Sequence, residues 1–238
     1  MPLAKKTLWI SVLVLWALIF NACSTSKNVS SSNSETISDQ KADQLNKAEL
    51  EELYWARIDS SKMNFTEADV EFMTGMIGHH AQALIMSGLA PENGASPQVR
   101  TLAARIINAQ KDEIATMQTW LRDRDQPVPE VHIDGLNLMI HGAGMDHSGH
   151  MKMAGMLTQK QLVELSGARG KEFDLLFLKY MIQHHQGAVT MVQKLISTDG
   201  AVQDEQAFRL STDINVDQIT EINRMKLMLE TIESEKKD

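Results

Sequence analysis

The chain repeats itself. Residues 69–86 read DVEFMTGMIGHHAQALIM, and residues 174–191 read DLLFLKYMIQHHQGAVTM. At an offset of 105, Asp, Phe, Met, Ile, His, His, Ala and Met recur at the same spacing. A second block follows each copy at an offset of 108: QKDEIATM at 110–117 and QITEINRM at 218–225, both Gln-x-x-Glu-Ile-x-x-Met. A unit of about a hundred residues, present twice, is too long and too few for a solenoid. The pattern predicts a duplicated helical hairpin and restricts the chain to folds that two such hairpins can build.

Local signals place the helices. Thr66 with Asp69 resembles a capping box, with Asp in place of Glu or Gln, and predicts a helix over 67–89. Ser96 followed by Pro97 predicts another over 97–122. Thr158 with Gln161 opens a short helix over 159–166. Further helices are expected over about 41–58, 171–196 and 201–230. Residues 123–157 hold Pro127, Pro129 and five glycines with no sustained period, and read as a long linker. No convincing β alternation is present. The fold class expected is all-α: a ferritin-like four-helix bundle of two duplicated hairpins (66–121 and 171–229) joined by a Met/His-rich linker.

At 100° per residue, Asp69, Met73, Met76, His80 and Ala83 fall within about 80° of one another. Asp174, Leu178, Met181, His185 and Ala188 do the same in the second copy. His79 and His184 flank that stripe. On the partner helices Gln110, Glu113, Ile114 and Met117 share a face, as do Gln218, Glu221, Ile222 and Met225. Each hairpin therefore brings imidazole and carboxylate toward an apolar seam, where unpaired charge is costly. Two readings follow: a polar network in which Glu113 and Glu221 accept from imidazole and the glutamines fill the gaps, or metal ligation by His79, His80, His184, His185, Glu113 and Glu221, with Met76 and Met181 as soft ligands. Asp69 is expected to serve its helix N-terminus. The Glu-x-x-His motif of di-iron proteins is absent.

All eight histidines lie in three clusters, and the third is the linker. His132, His141, His147 and His150 stand there among Met139, Met145, Met151, Met153 and Met156. No helical or strand period explains this composition. Thioethers select soft ions such as Cu(I), and imidazole suits copper, zinc, iron and nickel. His141, Met145, His147, His150, Met151, Met153 and Met156 are accordingly candidate ligands. Methionine also survives an oxidising compartment in which cysteine is consumed.

The N-terminus points to such a compartment. Lys5 and Lys6 precede an apolar run over 8–20, then Asn21-Ala22-Cys23. This layout resembles a bacterial lipoprotein signal over residues 1–22, with Cys23 as the lipidated residue. The run is shorter than the roughly 20 residues a spanning helix needs. Residues 23–40 are rich in Ser and Asn, too poor in apolar side chains to pack, and read as a tether to a helical domain over 41–238. The formal charge is −8, which disfavours nucleic acid, whose binders carry a basic footprint.

Together the doubled motifs resemble the domain-of-unknown-function 305 family. Phe72-x-x-x-Met76-Ile77-x-His79-His80-x-x-Ala83 recurs as Phe177-x-x-x-Met181-Ile182-x-His184-His185-Gln186-Gly187-Ala188, each followed by Gln-x-x-Glu-Ile-x-x-Met. The resemblance covers residues 66–229. It implies a ferritin-like helical bundle, exported and often lipid-anchored, with some members binding periplasmic copper in copper resistance. The first copy has Ala81-Gln82 where the second has the more family-like Gln186-Gly187.

The expectation is an envelope lipoprotein on the periplasmic or extracellular face. It would bind copper, as Cu(I) or Ag(I) with Cu(II) as the alternative, for sequestration, resistance or delivery, and would not be an enzyme. Its partners would be the metal ion, the membrane through the N-terminal lipid, and candidate envelope metal-handling proteins. Two rivals stay open: a di-metal redox enzyme and a metal-free structural or adaptor domain.

Overall fold

A computed structural model describes residues 35–142 and 153–234. Cys23, Met145, His147, His150 and Met151 lie outside the described residues. The chain divides into two units, residues 1–50 and 51–238. In the first, the described residues form the opening turns of helix α1 (Glu35–Lys62). The second holds the rest of α1, α2 (Glu67–Gly88), α3 (Pro97–Arg122), strands β1 (Glu130–Asp134) and β2 (Asn137–His141), α4 (Gln159–Gly167), α5 (Gly170–Ile196) and α6 (Glu205–Ser234). The protein is mostly helical, with one small sheet among the described residues. None of the described helices is long and apolar enough to cross a membrane.

The helix starts have identifiable causes. Thr66 and Asp69 form a reciprocal capping box: the Thr66 N–H donates to Asp69 Oδ2 at 2.8 Å, and the Asp69 N–H to Thr66 Oγ1 at 3.4 Å. Ser96 accepts from Val99 N–H at 3.3 Å, ahead of Pro97 in the first turn. Thr158 and Gln161 make the second capping box. The last helix starts at Glu205 rather than at the expected residue 201, because Asp204 caps it by accepting from Ala207 N–H at 2.8 Å. Val202 just before it lies at φ +53°, outside helical geometry.

Helix α2 packs on α3, α5 packs on α6, and the two hairpins join through α2 and α5. The apolar core falls into two clusters. In α2, Phe72, Met73, Met76 and Ile77 belong to one, and Ala83, Ile85 and Met86 to the other. In α5 the order reverses: Phe173, Phe177, Leu178 and Met181 sit in the second, Ala188, Val192 and Leu195 in the first. The central helices therefore run antiparallel, and both His-His pairs fall in the layer between the clusters. Reciprocal hydrogen bonds mark the same two-fold relation. Asp69 accepts from the Val202 N–H at 2.8 Å, and Asp174 from the Ser96 N–H at 3.1 Å. Each carboxylate, at equivalent repeat positions, holds the turn of the opposite hairpin.

The linker departs from expectation. Its first part is a β-hairpin in which Val131 faces Ile140 and Ile133 faces Leu138. Gly135-Leu136 makes the two-residue turn, Gly135 at φ +57°. Strands of five residues, largely exposed on β1, carry too little alternation to stand out in sequence. The hairpin contacts α2. Helix α2 is thus covered on several sides, consistent with its continuous burial from Phe72 to Ala83.

Candidate metal centre

Adjacent residues on a helix point about 100° apart, so each His-His pair serves two directions. His80 turns within its own hairpin, and its Nε2–H donates to Glu113 Oε2 on α3 at 2.5 Å. His185 does the same to Glu221 Oε2 on α6 at 2.6 Å. His79 and His184 turn toward each other across the α2–α5 seam, with ring centroids 3.9 Å apart and planes tilted by 40°. All four rings are buried. The seam is lined by the flanking histidines, not by the stripe residues His80 and His185.

His79 Nε2 lies 3.0 Å from the Ala154 carbonyl oxygen. A carbonyl only accepts, so Nε2 carries the proton and Nδ1 keeps its lone pair. Among the described residues that Nδ1 has no partner, and neither ring nitrogen of His184 has one within 3.5 Å. Burial pushes His79 down to about 3, helped by nearby His80 and His185 and opposed by the Ala154 bond. Burial and then the surrounding histidines hold His184 well below the usual range, opposed by a weaker contact to the His79 backbone. Both are neutral imidazoles at physiological pH, the form that binds metals.

Seven buried side-chain polar atoms lack a partner among the described residues, and five belong to these four rings. Each costs about 1–3 kcal/mol if nothing satisfies it, so their concentration sets this layer apart from the rest of the core. The gap-filling role expected of Gln110 is also not met: its Oε1 is itself buried and unpartnered.

The end of the linker crosses this layer as a strap over residues 153–157. Besides the Ala154 contact to His79, the Gly155 carbonyl accepts from Gln183 Nε2 at 3.3 Å. Gln82 clamps both backbone groups of Leu157, donating to its carbonyl at 3.0 Å and accepting from its N–H at 2.7 Å. A side chain at Gly187 would place Cβ 1.9 Å from the Ala154 carbonyl oxygen. Gln82 and Gly187 occupy equivalent repeat positions. The sequence asymmetry there has a physical cause: one copy grips the strap and the other makes room for it.

The remaining candidates are dispersed. Met76 and Met181 are buried in different apolar clusters. Met139 faces His132 across the β-hairpin, and His141 is exposed at its end. Met156 is buried at 7% exposure. Met153 lies against Gly75: a Cβ there would be 3.3 Å from Met153 Sδ and 3.4 Å from Met191 Cε. Sequence reasoning passed over Met191 as a ligand, although it recurs in the repeat as the counterpart of Met86. Among the described residues no three His, Cys, Asp or Glu side chains converge on one point. A cation at the His79–His184 seam therefore needs donors of another kind, and thioether sulfur is the one at hand.

Residues 69–229 match the family model described as "Domain of unknown function (DUF305)". The structure is similar to a DUF305 fragment from Deinococcus radiodurans, with a TM-score of 0.57 and 29% identity, covering 70% of this chain and 98% of that one. It is similar to a DUF305 protein from Streptomyces coelicolor assigned as secreted, with a TM-score of 0.56 and 25% identity over 69% and 93% of the two chains. It is also similar to CopM in its Cu(II)-bound form, with a TM-score of 0.51 and 30% identity over 68% and 96%. No curated protein matches the chain.

Proposed function

The chain belongs to the DUF305 family, and from that premise we propose that it is a copper-binding protein of the cell envelope. It takes Cu(I), with Ag(I) as the soft analogue and Cu(II) as the second oxidation state, for sequestration, resistance or delivery, and it is a binder rather than an enzyme. The observation that carries this reading is the buried His79–His184 pair, neutral and with open ring nitrogens. The likeness to CopM in its Cu(II)-bound form supports copper over other imidazole-binding metals. Glu113 and Glu221 each serve a histidine of their own hairpin. That arrangement favours a histidine site over a carboxylate-bridged redox pair.

Elemental analysis of protein purified from its native envelope, followed by competition with a Cu(I) chelator, tests the reading. Stoichiometric copper is expected. Replacing His79 and His184 together with Ala is expected to weaken Cu(I) binding by at least about a hundredfold, or about 2.7 kcal/mol. A metal-free native protein, or a double variant that binds as the parent does, would overturn the proposal.

Anchoring is a second part of the same reading. The signal-like N-terminus supports lipid attachment at Cys23, with the domain on the periplasmic or extracellular face and envelope metal-handling proteins as partners. A Cys23→Ala protein is expected to leave the membrane fraction; one that stays there refutes the anchor.

A further inference from the structure

We propose that Met153 and Met191 supply the thioether half of the His79–His184 site, making it a two-nitrogen, two-sulfur seat for a soft monovalent cation. The inference rests on the copper reading above and names the ligands that reading lacks. Its basis is the surface of Gly75. One turn before His79 on α2, this glycine leaves a hollow that Met153 Sδ and Met191 Cε both reach. The two side chains come from different elements, the strap and α5, and meet at one backbone position. Met191 lies seven residues beyond His184, so both project from the same face of α5. Met153 is fixed beside His79 because the next residue, Ala154, bonds the His79 ring.

The chemistry agrees with the placement. Thioether and imidazole together select Cu(I) and Ag(I) over harder ions. Both methionines are partly exposed, whereas both histidines are fully buried. The methionines stand nearer to solvent than the imidazoles. At the position of Gly75 the second copy carries Tyr180. The hollow exists in one copy only, on the side that the strap crosses.

The test uses the full-length chain with His132→Ala, Met139→Leu, His141→Ala, Met145→Leu, His147→Ala, His150→Ala and Met151→Leu, so that the other linker His and Met side chains do not compete. One equivalent of Cu(I) is added, affinity is read by chelator competition, and the neighbours of copper by X-ray absorption. Both nitrogen and sulfur neighbours are expected. Met153→Leu or Met191→Leu should remove one sulfur and weaken binding about tenfold or more. The pair together should leave nitrogen alone and erase the preference for Ag(I) over Zn(II). Methionine-to-leucine exchange nearly conserves volume, so thermal unfolding should stay close to that of the background protein.

Failures of the two readings are distinguishable. Nitrogen-only neighbours, with binding lost when His79 and His184 become Ala, overturn the thioether inference and leave the copper site standing. Binding unchanged by both sets of substitutions overturns the site, and the inference with it. A background protein that takes up no Cu(I) overturns both.

Discussion

Asp204→Ala is expected to lower the unfolding free energy by about 3–5 kcal/mol, the range for stranding one member of a buried ion pair. Asp204 and Arg124 are paired with side chains 1% exposed on each side. Asp204 Oδ2 accepts from both Arg124 Nη2 and Arg124 Nε. Its Oδ1 accepts from the Trp120 indole N–H at 3.0 Å and from the Ala207 N–H at 2.8 Å. The Arg124 guanidinium in turn stacks on Trp120, 4.3 Å above the ring, and donates to the Trp120 carbonyl. One carboxylate thus closes the end of α3, caps α6 and satisfies an otherwise buried cation. Asp204→Asn keeps the shape and an acceptor, and is expected to lose less. Urea unfolding of both variants gives the comparison; a loss below about 1 kcal/mol for the Ala variant would show that water reaches Arg124.

None of this network was legible in the sequence. Arg124 and Asp204 sit outside the repeat and follow no period. The duplication, by contrast, was legible in full: equal spacings of Asp, His and Met at an offset of 105 specify two like helices, and the two-fold exchange of Asp69 and Asp174 follows from it. The helical wheel was incomplete at one informative point. It assigned His80 and His185 to the core face and His79 and His184 to the flank. That logic holds for a helix buried on one stripe, but α2 is covered on several sides and has no single core face. Both imidazoles of a pair are then buried, and partners on neighbouring elements decide their roles. The strap was hidden for another reason. Its contacts join residues some 75 positions apart through backbone groups, which leave no side-chain pattern. Its one trace is the broken symmetry at Gly75 against Tyr180 and Gln82 against Gly187.

Acidification is expected to destabilise the metal-free protein steeply between about pH 6.5 and pH 3. The His79 ring takes up its proton near 3 in the folded chain and near 6.5 when unfolded. Across that window the unfolded state binds a proton that the folded state refuses. The stabilisation is therefore fully present above about 6.5 and is lost as pH falls toward 3, at about 1.4 kcal/mol per pH unit. His184 is displaced in the same direction by the same burial and adds to the slope. Against a total of about 5–15 kcal/mol for a domain, a loss at that rate is a measurable share. Carboxylates titrate over the same range, so the decisive quantity is the difference from a His79→Leu, His184→Leu variant. That variant removes the unpartnered ring nitrogens but also the His79–Ala154 hydrogen bond, and the two effects are expected to offset at pH 7. It should lose the histidine part of the slope while keeping the carboxylate part. Parallel pH profiles for the two proteins would mean that the rings are protonated, and hence solvated, in the native state. The seam could not then hold two neutral imidazoles ready for a soft cation.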